Sequence, residues 1–160
     1  FAAAIGLAPR AVYVVTTDGA CGRFGLTVSA VSSVSADPPL VLVCINRRSP
    51  AAAAIDGNRA FAVSLLAAAN QSYAETFSGR PREGKPFDFA NHRWRLGETG
   101  LPLVQDATAN FECDIHQHVD AGTHRIFIGR VIAAHSGSDE PLVYCNRLYR
   151  RIIHNEESKQ

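Results

Sequence analysis

Ser49 and Pro50 follow two arginines, Arg47 and Arg48, where an apolar segment ends and an alanine-rich segment begins. Serine is a favoured helix N-cap, and proline suits the first helical position because its missing N–H has no partner to lose there. A helix that starts here presents backbone N–H groups and its positive dipole end beside two guanidinium groups. This arrangement suits a phosphate, although a capped surface helix with two solvated arginines explains the same residues.

The composition of the chain argues against several kinds of partner. Its 160 residues are 46% hydrophobic and 19% charged, which is enough for one domain over residues 1–160 with a substantial core. A net charge of +1 gives no overall field that favours nucleic acid or an anionic membrane. No apolar run is long enough to cross a bilayer.

The four cysteines, Cys21, Cys44, Cys113 and Cys145, are far apart and form no C-x-x-C pair. Free thiols in apolar segments are typical of a reducing compartment, so we expect a cytoplasmic protein. Cys113 does precede His116 and His118 at a spacing that invites a metal. Strand alternation places the two histidines on one face and the cysteine on the other, so no metal site is expected.

Short β-branched or apolar segments, separated by glycine, proline and aspartate, predict a mainly β protein. The predicted strands cover residues 11–17, 25–35, 40–45, 61–65, 107–116, 124–133 and 142–149. The uninterrupted apolar character of 40–45 predicts burial on both faces or a place inside a barrel. One helix is predicted from Pro50, and a second is predicted from Asn70, as its N-cap, through Phe77. Residues 80–95 are rich in proline, glycine and charge, and they predict a long irregular excursion that ends near Trp94.

At least six strands with short connections and two short helices predict a closed or nearly closed antiparallel barrel. The strand–helix alternation of a doubly wound fold is absent from the pattern. No G-x-G-x-x-G motif occurs in the sequence, so any nucleotide is held by some other device.

An ordered set of short motifs resembles the flavin reductase family. The motifs are VVTTDG (14–19), GLTVSAVSSVSADPPLVLVCI (25–45), RRSP (47–50), FAVSLL (61–66), FSG (77–79), GTHRIFIGRV (122–131) and PLVY (141–144). Each motif is weak alone, and their number and order carry the resemblance, which extends over residues 11–149. It implies an FMN-binding split β-barrel with a few short helices, a bound FMN or FAD, and NADH or NADPH as co-substrate.

The resemblance also implies which residues bind the flavin. The implied positions are Thr27, Val28, Ser29, Ala30, Cys44, Ile45, Asn46, Ser49, Pro50, Ala51 and Phe77. Ser49, Pro50 and Ala51 fall where the family binds the flavin phosphate, in agreement with the capping pattern. A phenylalanine late in a short helix is more often a core residue, and Arg47 and Arg48 are as readily surface residues as phosphate ligands. The loop that carries Arg80, Arg82 and Lys85 suits a second phosphate contact or, equally, a solvated charged loop.

A family motif of glycine, aspartate and histidine beside the nicotinamide reads Gly122-Thr123-His124 in this chain. Thr123 therefore replaces an aspartate. The resemblance implies nicotinamide binding by His124, Arg147 and Tyr149, with His124 in a positioning role and no side chain as a catalytic nucleophile or base.

The function that the resemblance implies is NAD(P)H-dependent reduction of free FMN or FAD. A reductase of this kind supplies reduced flavin to a separate flavin-dependent monooxygenase and is a homodimer. Two other classes fit the same residues: a split-barrel flavin-binding protein or oxidase that does not use NAD(P)H, and a barrel that binds another phosphorylated ligand.

Overall fold

Antiparallel strands make up most of the chain, as the β-branched segments predict. The computed structural model describes residues 1–155, so the last five residues of the predicted 1–160 domain lie outside it. Its strands are β1 (Arg10–Ala11), β2 (Tyr13–Thr17), β3 (Phe24–Val28), β4 (Val31–Ala36), β5 (Pro39–Asn46), β6 (Ala60–Leu65), β7 (Trp94–Leu96), β8 (Pro102–Val104), β9 (Ala109–Ala121), β10 (His124–Ser136), β11 (Val143–Cys145) and β12 (Leu148–Arg150). Its helices are α1 (Ala2–Ile5), α2 (Pro50–Asn58) and α3 (Gln71–Phe77), with a 3₁₀ turn at Ala68–Asn70. Within residues 1–155, no helix combines the length and the apolar character that a bilayer crossing requires.

Seven strands form one antiparallel sheet in the order β3-β2-β6-β9-β10-β5-β4. Two smaller sheets join it, β1-β11-β12 and the hairpin β7-β8. The large sheet bends back on itself, but β3 and β4 remain its two edges, so the barrel is split rather than closed. Where the edges meet, the Cys44 amide donates to the Ala30 carbonyl at 3.0 Å. We call this meeting point, at residues 29 and 30, the seam.

The seam corrects the single strand predicted over residues 25–35. The Val31 amide donates to the Ser29 carbonyl at 3.1 Å, and this tight three-residue turn ends β3 and starts β4. Because β3 pairs with β2 and β4 pairs with β5, one continuous segment supplies both edges of the split barrel. The predicted hairpin of β2 and β3 is confirmed, with Tyr13 opposite Val28.

The barrel interior is apolar and is closed at one end by α2. Phe61 and Phe127 lie inside with ring centroids 6.4 Å apart, and neither is exposed. Ile55 and Ala52 of α2 pack into the same cluster. Strand β5 is only partly buried in the single chain: Val43 and Ile45 are buried, while Leu40, Val41, Leu42 and Cys44 are half-buried. Of the two alternatives predicted for residues 40–45, the structure has the place in the barrel wall, between β10 and β4, and not burial on both faces.

A second apolar cluster lies between α3, β8 and the C-terminal strands. Phe77 is 1% exposed and packs edge-to-face against Phe89 and Trp94, with ring centroids 5.0 and 5.5 Å away. The Trp94 indole N–H donates to the Phe89 carbonyl at 3.0 Å. The aromatic contacts thus anchor the irregular excursion that the sequence predicts between α3 and β7.

Three further expectations about local structure need correction. The strand predicted over 142–149 is a hairpin, because Asn146 and Arg147 adopt positive φ angles of 50° and 63° and turn the chain between β11 and β12. Asn70 does not cap α3 with its side chain, because its Oδ1 accepts instead from the Ala67 amide at 2.8 Å.

The third correction concerns the alternation along β9. The pairing of β9 with β10 shifts register between Ile128 and Gly129, and this bulge skips His116. His118 therefore points inward, 5.9 Å from the Phe127 ring, and its Nδ1 lies 3.1 Å from Asp56 Oδ1. Because Phe127 lies in the same buried cluster as Cys113, the predicted placement of His118 and the cysteine on opposite faces is wrong. The described residues contain no cluster that could hold a metal ion.

Candidate functional site

The start of α2 has the capped geometry that the sequence predicts. Ser49 is extended, with φ −67° and ψ 132°, and its Oγ accepts from the Ala51 amide at 3.3 Å. Pro50 occupies the first helical position. The Ala52 amide donates to the Ser49 carbonyl at 3.0 Å. Within residues 1–155 the Ser49 hydroxyl donates to no acceptor, so its proton is free for an anion.

A basic cleft of about 600 Å³ borders this helix start. It is lined by Asn46, Arg47, Arg48, Ala52, Ala53, Gly122, Thr123 and Arg125. The Arg125 guanidinium binds Asp120 at 2.6 and 3.0 Å, and these hydrogen bonds hold the pKa of Asp120 below its ordinary value. Arg47 Nε is 3.5 Å from the same carboxylate. The Arg48 side chain binds no group among residues 1–155, so its charge is available to a ligand.

His124 sits on the rim of the basic cleft. It lies opposite Asn46 in the β5–β10 register, and the Arg47 amide donates to the Thr123 carbonyl at 3.0 Å. Thr123 Oγ1 is 2.8 Å from His124 Nδ1. The threonine that replaces the family aspartate therefore still contacts the imidazole and restrains its orientation.

A second cleft, of about 510 Å³, opens on the other side of the seam. We call it the aromatic cleft; it is lined by Val12, Thr27, Ser29, Glu75, Ser78, Arg80, Tyr144 and Tyr149. The Tyr144 and Tyr149 rings lie 5.1 Å apart, and burial raises the pKa of the Tyr149 phenol. Thr27 Oγ1 donates to the Ala74 carbonyl at 2.8 Å, so its hydroxyl faces a ligand as an acceptor. The two rings are inclined by 59°, and together with the hydroxyls of Thr27 and Ser29 they form a partly aromatic lining that suits a heteroaromatic ring.

The structure divides the residues predicted for flavin and nicotinamide binding between these two clefts. Thr27, Ser29 and Tyr149 share the aromatic cleft, while Asn46 lines the basic cleft beside Ser49, Pro50 and Ala51. Ala30 and Cys44 join the two groups through their hydrogen bond at the seam. A ligand with a ring at one end and an anion at the other can therefore follow the barrel wall from one cleft to the other.

Several predicted residues contribute packing or lie apart. The side chains of Val28, Ile45 and Phe77 are buried in the core, which leaves backbone groups of the first two for any ligand. Phe77 is enclosed by Phe89 and Trp94, so the structure gives it the core role and offers no ligand-facing surface. Arg147 lies in the exposed β11–β12 turn and lines neither cleft. His124 and Tyr149, predicted to act together, belong to different clefts in one copy of the chain.

Glu75 of the aromatic cleft belongs to no motif, and Ser78 lies in the FSG motif but is not predicted to have a role in the site. Glu75 also lines a neighbouring loop cleft of about 630 Å³, together with Ser72, Thr76, Arg82, Glu83, Gly84, Asn91 and His92. The α3 helix and the irregular excursion bring these residues together. The only signal in the sequence was the polar face of α3, which solvent explains equally well.

Comparison with known proteins agrees with this geometry. Residues 5–152 match the model of the "Flavin reductase like domain" family. The chain is 40% identical over 145 residues to a protein named "FMN reductase (NADH) RutF" from Variovorax paradoxus, which covers 89% of this chain and 78% of that protein.

Solved structures of similar fold include two whose printed names describe a reductase. The NADH:FAD oxidoreductase SgcE6 of Streptomyces globisporus, in complex with NAD and FAD fragments, superposes with a TM-score of 0.87 at 32% identity, covering 97% of this chain and 92% of that one. BorF, the flavin reductase component of a bacterial two-component tryptophan halogenase, gives a TM-score of 0.84 at 33% identity, covering 96% of each chain.

Proposed function

This chain belongs to the family of flavin reductase-like domains, and on that premise we propose that it reduces FMN with NADH. The reaction is FMN + NADH + H⁺ → FMNH₂ + NAD⁺, in which hydride passes from the nicotinamide to the flavin ring. The observation that supports it is the continuous wall from the aromatic cleft, across the seam, to the capped start of α2 beside Arg47 and Arg48. FAD suits the same wall, since the additional adenylate extends beyond the phosphate.

The residues around the seam suit the two ends of FMN. Thr27 and Ser29 offer hydroxyls, and Val28 and Ala30 offer backbone groups, to the ring and the ribityl chain. Cys44, Ile45 and Asn46 continue the wall along β5.

At the anion end, the Ser49 hydroxyl can donate to a phosphate while the Ala51 amide remains oriented by the same oxygen. Arg48 adds a charge without losing a protein partner, whereas Arg47 is shared with Asp120. Pro50 fits the first helical position, where its missing N–H costs no intrahelical bond, and the following backbone N–H groups point toward the anion.

For the co-substrate, we propose that Tyr144 and Tyr149 border the nicotinamide in the aromatic cleft. His124, restrained by Thr123 beside the basic cleft, stays a prediction as a nicotinamide contact, because one copy of the chain does not bring it to the same cleft. Hydride transfer requires no side-chain nucleophile, so we propose that the protein acts by holding two rings in contact and excluding other geometries. Arg147, which lines neither cleft, stays a prediction as a phosphate ligand of the dinucleotide.

The decisive test supplies FMN, FAD and riboflavin in turn and follows NADH oxidation by its absorbance. We expect turnover with FMN, and a comparison with NADPH measures the preference for the nicotinamide nucleotide. A protein that binds flavin tightly without oxidising either nucleotide would refute the reductase assignment and leave the flavin-binding alternative. If the protein neither binds flavin nor oxidises the nucleotides, the reductase and the flavin-binding assignments are both excluded.

A second test separates the phosphate from the ring. Ser49→Ala should weaken the binding of FMN by about tenfold, because a hydrogen bond to a charged group is lost. The affinity for riboflavin, which has no phosphate, should stay within about twofold of the wild-type value. Ser138→Ala removes a hydroxyl from an exposed loop outside both clefts and serves as the matched control. Equal losses for FMN and riboflavin would place the phosphate elsewhere.

We also propose that reduced flavin leaves this protein for a separate flavin-dependent monooxygenase, because the similar protein SMOB of Pseudomonas putida S12 is named as the flavin reductase of a styrene monooxygenase. The half-buried strand β5, with exposed Val34 on β4 and Ile132 on β10, supports a homodimer through this side of the sheet. Light scattering that gives the mass of a single chain would refute the dimer.

A further inference from the structure

Glu75 lies at the border of two clefts that share no other lining residue. Its side chain is 14% exposed, and it lines both the aromatic cleft and the loop cleft. A dinucleotide whose nicotinamide end occupies the aromatic cleft has the loop cleft, of about 630 Å³, as the adjoining space for its adenosine end. The chain connecting the two ends must then pass Glu75.

The two oxygens of Glu75 are unequally used. Oε1 accepts from Gln71 Nε2 at 3.0 Å and from Arg82 Nε at 3.0 Å, and Arg82 Nη2 is also 3.0 Å away. Oε2 accepts no hydrogen bond from residues 1–155, and it is not among the buried unpaired atoms of that segment. Since Arg82 and Gln71 fix the carboxylate through one oxygen, the other is oriented, accessible and free to accept from a ligand.

We propose that Glu75 makes the protein select NADH over NADPH, by accepting hydrogen bonds from the adenosine ribose 2′-hydroxyl and repelling a 2′-phosphate. The inference rests on the proposed function. A carboxylate accepts from the ribose diol of NADH, and the same negative charge opposes the dianionic phosphate of NADPH. Arg82, which could otherwise attract that phosphate, is neutralised by Glu75 itself. The charge of Glu75 also reaches the aromatic cleft, where it helps to raise the pKa of Tyr149.

The competing cation is Arg80, which lines the aromatic cleft and follows α3. Its exposed guanidinium suits the pyrophosphate, which NADH and NADPH share, so it adds affinity for both and preference for neither. Removal of the Glu75 charge leaves Arg80 and an unpaired Arg82 near the ribose. The substitution Glu75→Gln should therefore lower the affinity for NADH and at the same time raise the affinity for NADPH.

The experiment compares wild type, Glu75→Gln and a matched control, Glu98→Gln, which removes one negative charge from a 69% exposed side chain on the β7–β8 loop. Affinities for NADH and NADPH are measured by titration calorimetry without flavin at low salt, and kcat/KM is measured with FMN. We expect Glu75→Gln to shift the NADH:NADPH ratio of both quantities by about tenfold or more toward NADPH. Glu98→Gln should leave the ratio unchanged within about twofold.

An NADH analogue that lacks the 2′-hydroxyl of the adenosine ribose tests the contact itself. Wild type should bind it about fivefold or more weakly than NADH, whereas Glu75→Ala, which cannot form a hydrogen bond to the 2′-hydroxyl, should bind the two alike. Equal weakening of NADH and NADPH in Glu75→Gln, or an unchanged ratio, would overturn the proposal. Loss of turnover in wild type with the calorimetric ratio intact would refute the reductase function alone.

Discussion

Glu112 is a charged residue inside the fold whose removal should show how the β7–β8 loop is held. It lies on β9 with no exposed surface, and it accepts from three groups of the loop. The Thr99 amide and hydroxyl donate to Oε1 at 2.9 and 2.6 Å, and the Glu98 amide donates to Oε2 at 3.2 Å. A Cβ at Gly97 would overlap this carboxylate, so the loop approaches Glu112 through a glycine.

The substitution Glu112→Gln keeps the shape and removes the charge. One backbone amide of the loop then faces the NH₂ group of the glutamine and loses its hydrogen bond. The remaining hydrogen bonds become weaker, because their acceptor is no longer charged. A hydrogen bond to a charged group contributes about 1.5–3 kcal/mol, so we expect a total loss of about 3 kcal/mol. For a domain of this size the melting temperature should fall by roughly 6–12 °C.

The pH dependence separates charge from shape. Burial pushes the pKa of Glu112 upward, but the hydrogen bonds from Thr99 and Glu98 outweigh it, and the pKa lies below its ordinary value of 4.5. A carboxyl whose pKa is lowered by folding contributes its full stability above the unfolded pKa and loses it as the pH falls through the folded pKa. The difference in unfolding free energy between wild type and Glu112→Gln should thus have its full value at pH 7 and become smaller below pH 4.5.

The measurement is urea unfolding followed by fluorescence of Trp94 at several pH values. Glu98→Gln is the control, because it keeps the backbone amide that bonds Glu112 and should change stability by less than about 0.5 kcal/mol. If Glu112→Gln is as stable as wild type at pH 7, this result refutes the argument. A difference that does not change with pH would show that the lost stability comes from packing.

Three other substitutions test the barrel and its rim. Gly129→Ala places a Cβ 2.5 Å from the Phe61 ring and 2.7 Å from Cys113 Cβ, and should cost about 1–3 kcal/mol in urea unfolding. Asn58→Ala removes three hydrogen bonds to β2 and the β2–β3 turn, and should speed amide exchange in that turn while exchange in β10 stays unchanged. His124→Gln should raise KM for NADH about fivefold and leave KM for FMN within about twofold; equal rises would contradict its assignment to the nicotinamide.

Local signals in the sequence were sufficient for the elements that begin or end at a residue with special backbone chemistry. The capped start at Ser49 and Pro50 is confirmed, because one side chain and one ring decide the geometry within two residues. The irregular excursion before Trp94 is confirmed for the same reason: proline, glycine and charge leave no apolar face to bury.

Alternation fails wherever pairing with another strand changes the register. The bulge opposite Ile128 and Gly129 reverses the direction of His118, and nothing local to β9 records it, because a bulge is a property of two strands. The turn at Ser29 is similar, since Ser-Ala carries no turn signal and the chain bends there to reach both edges of the sheet. Alternation along residues 107–116 predicts a polar face that includes Glu112, and the docking of the β7–β8 loop buries this residue.

The two clefts explain why composition gave no indication of a ligand. The net charge of +1 averages over the whole surface, yet the basic cleft gathers Arg47, Arg48 and Arg125, while Glu75 sets a negative group beside Arg82 at the far side of the seam. Asp120 offsets part of the first group, which leaves Arg48 as its available cation. On our proposals, the anionic tail of the flavin meets the cations of the basic cleft, and the ribose diol of the nicotinamide nucleotide meets the carboxylate of Glu75. Recognition of this kind depends on where each charge lies, which only the folded chain determines.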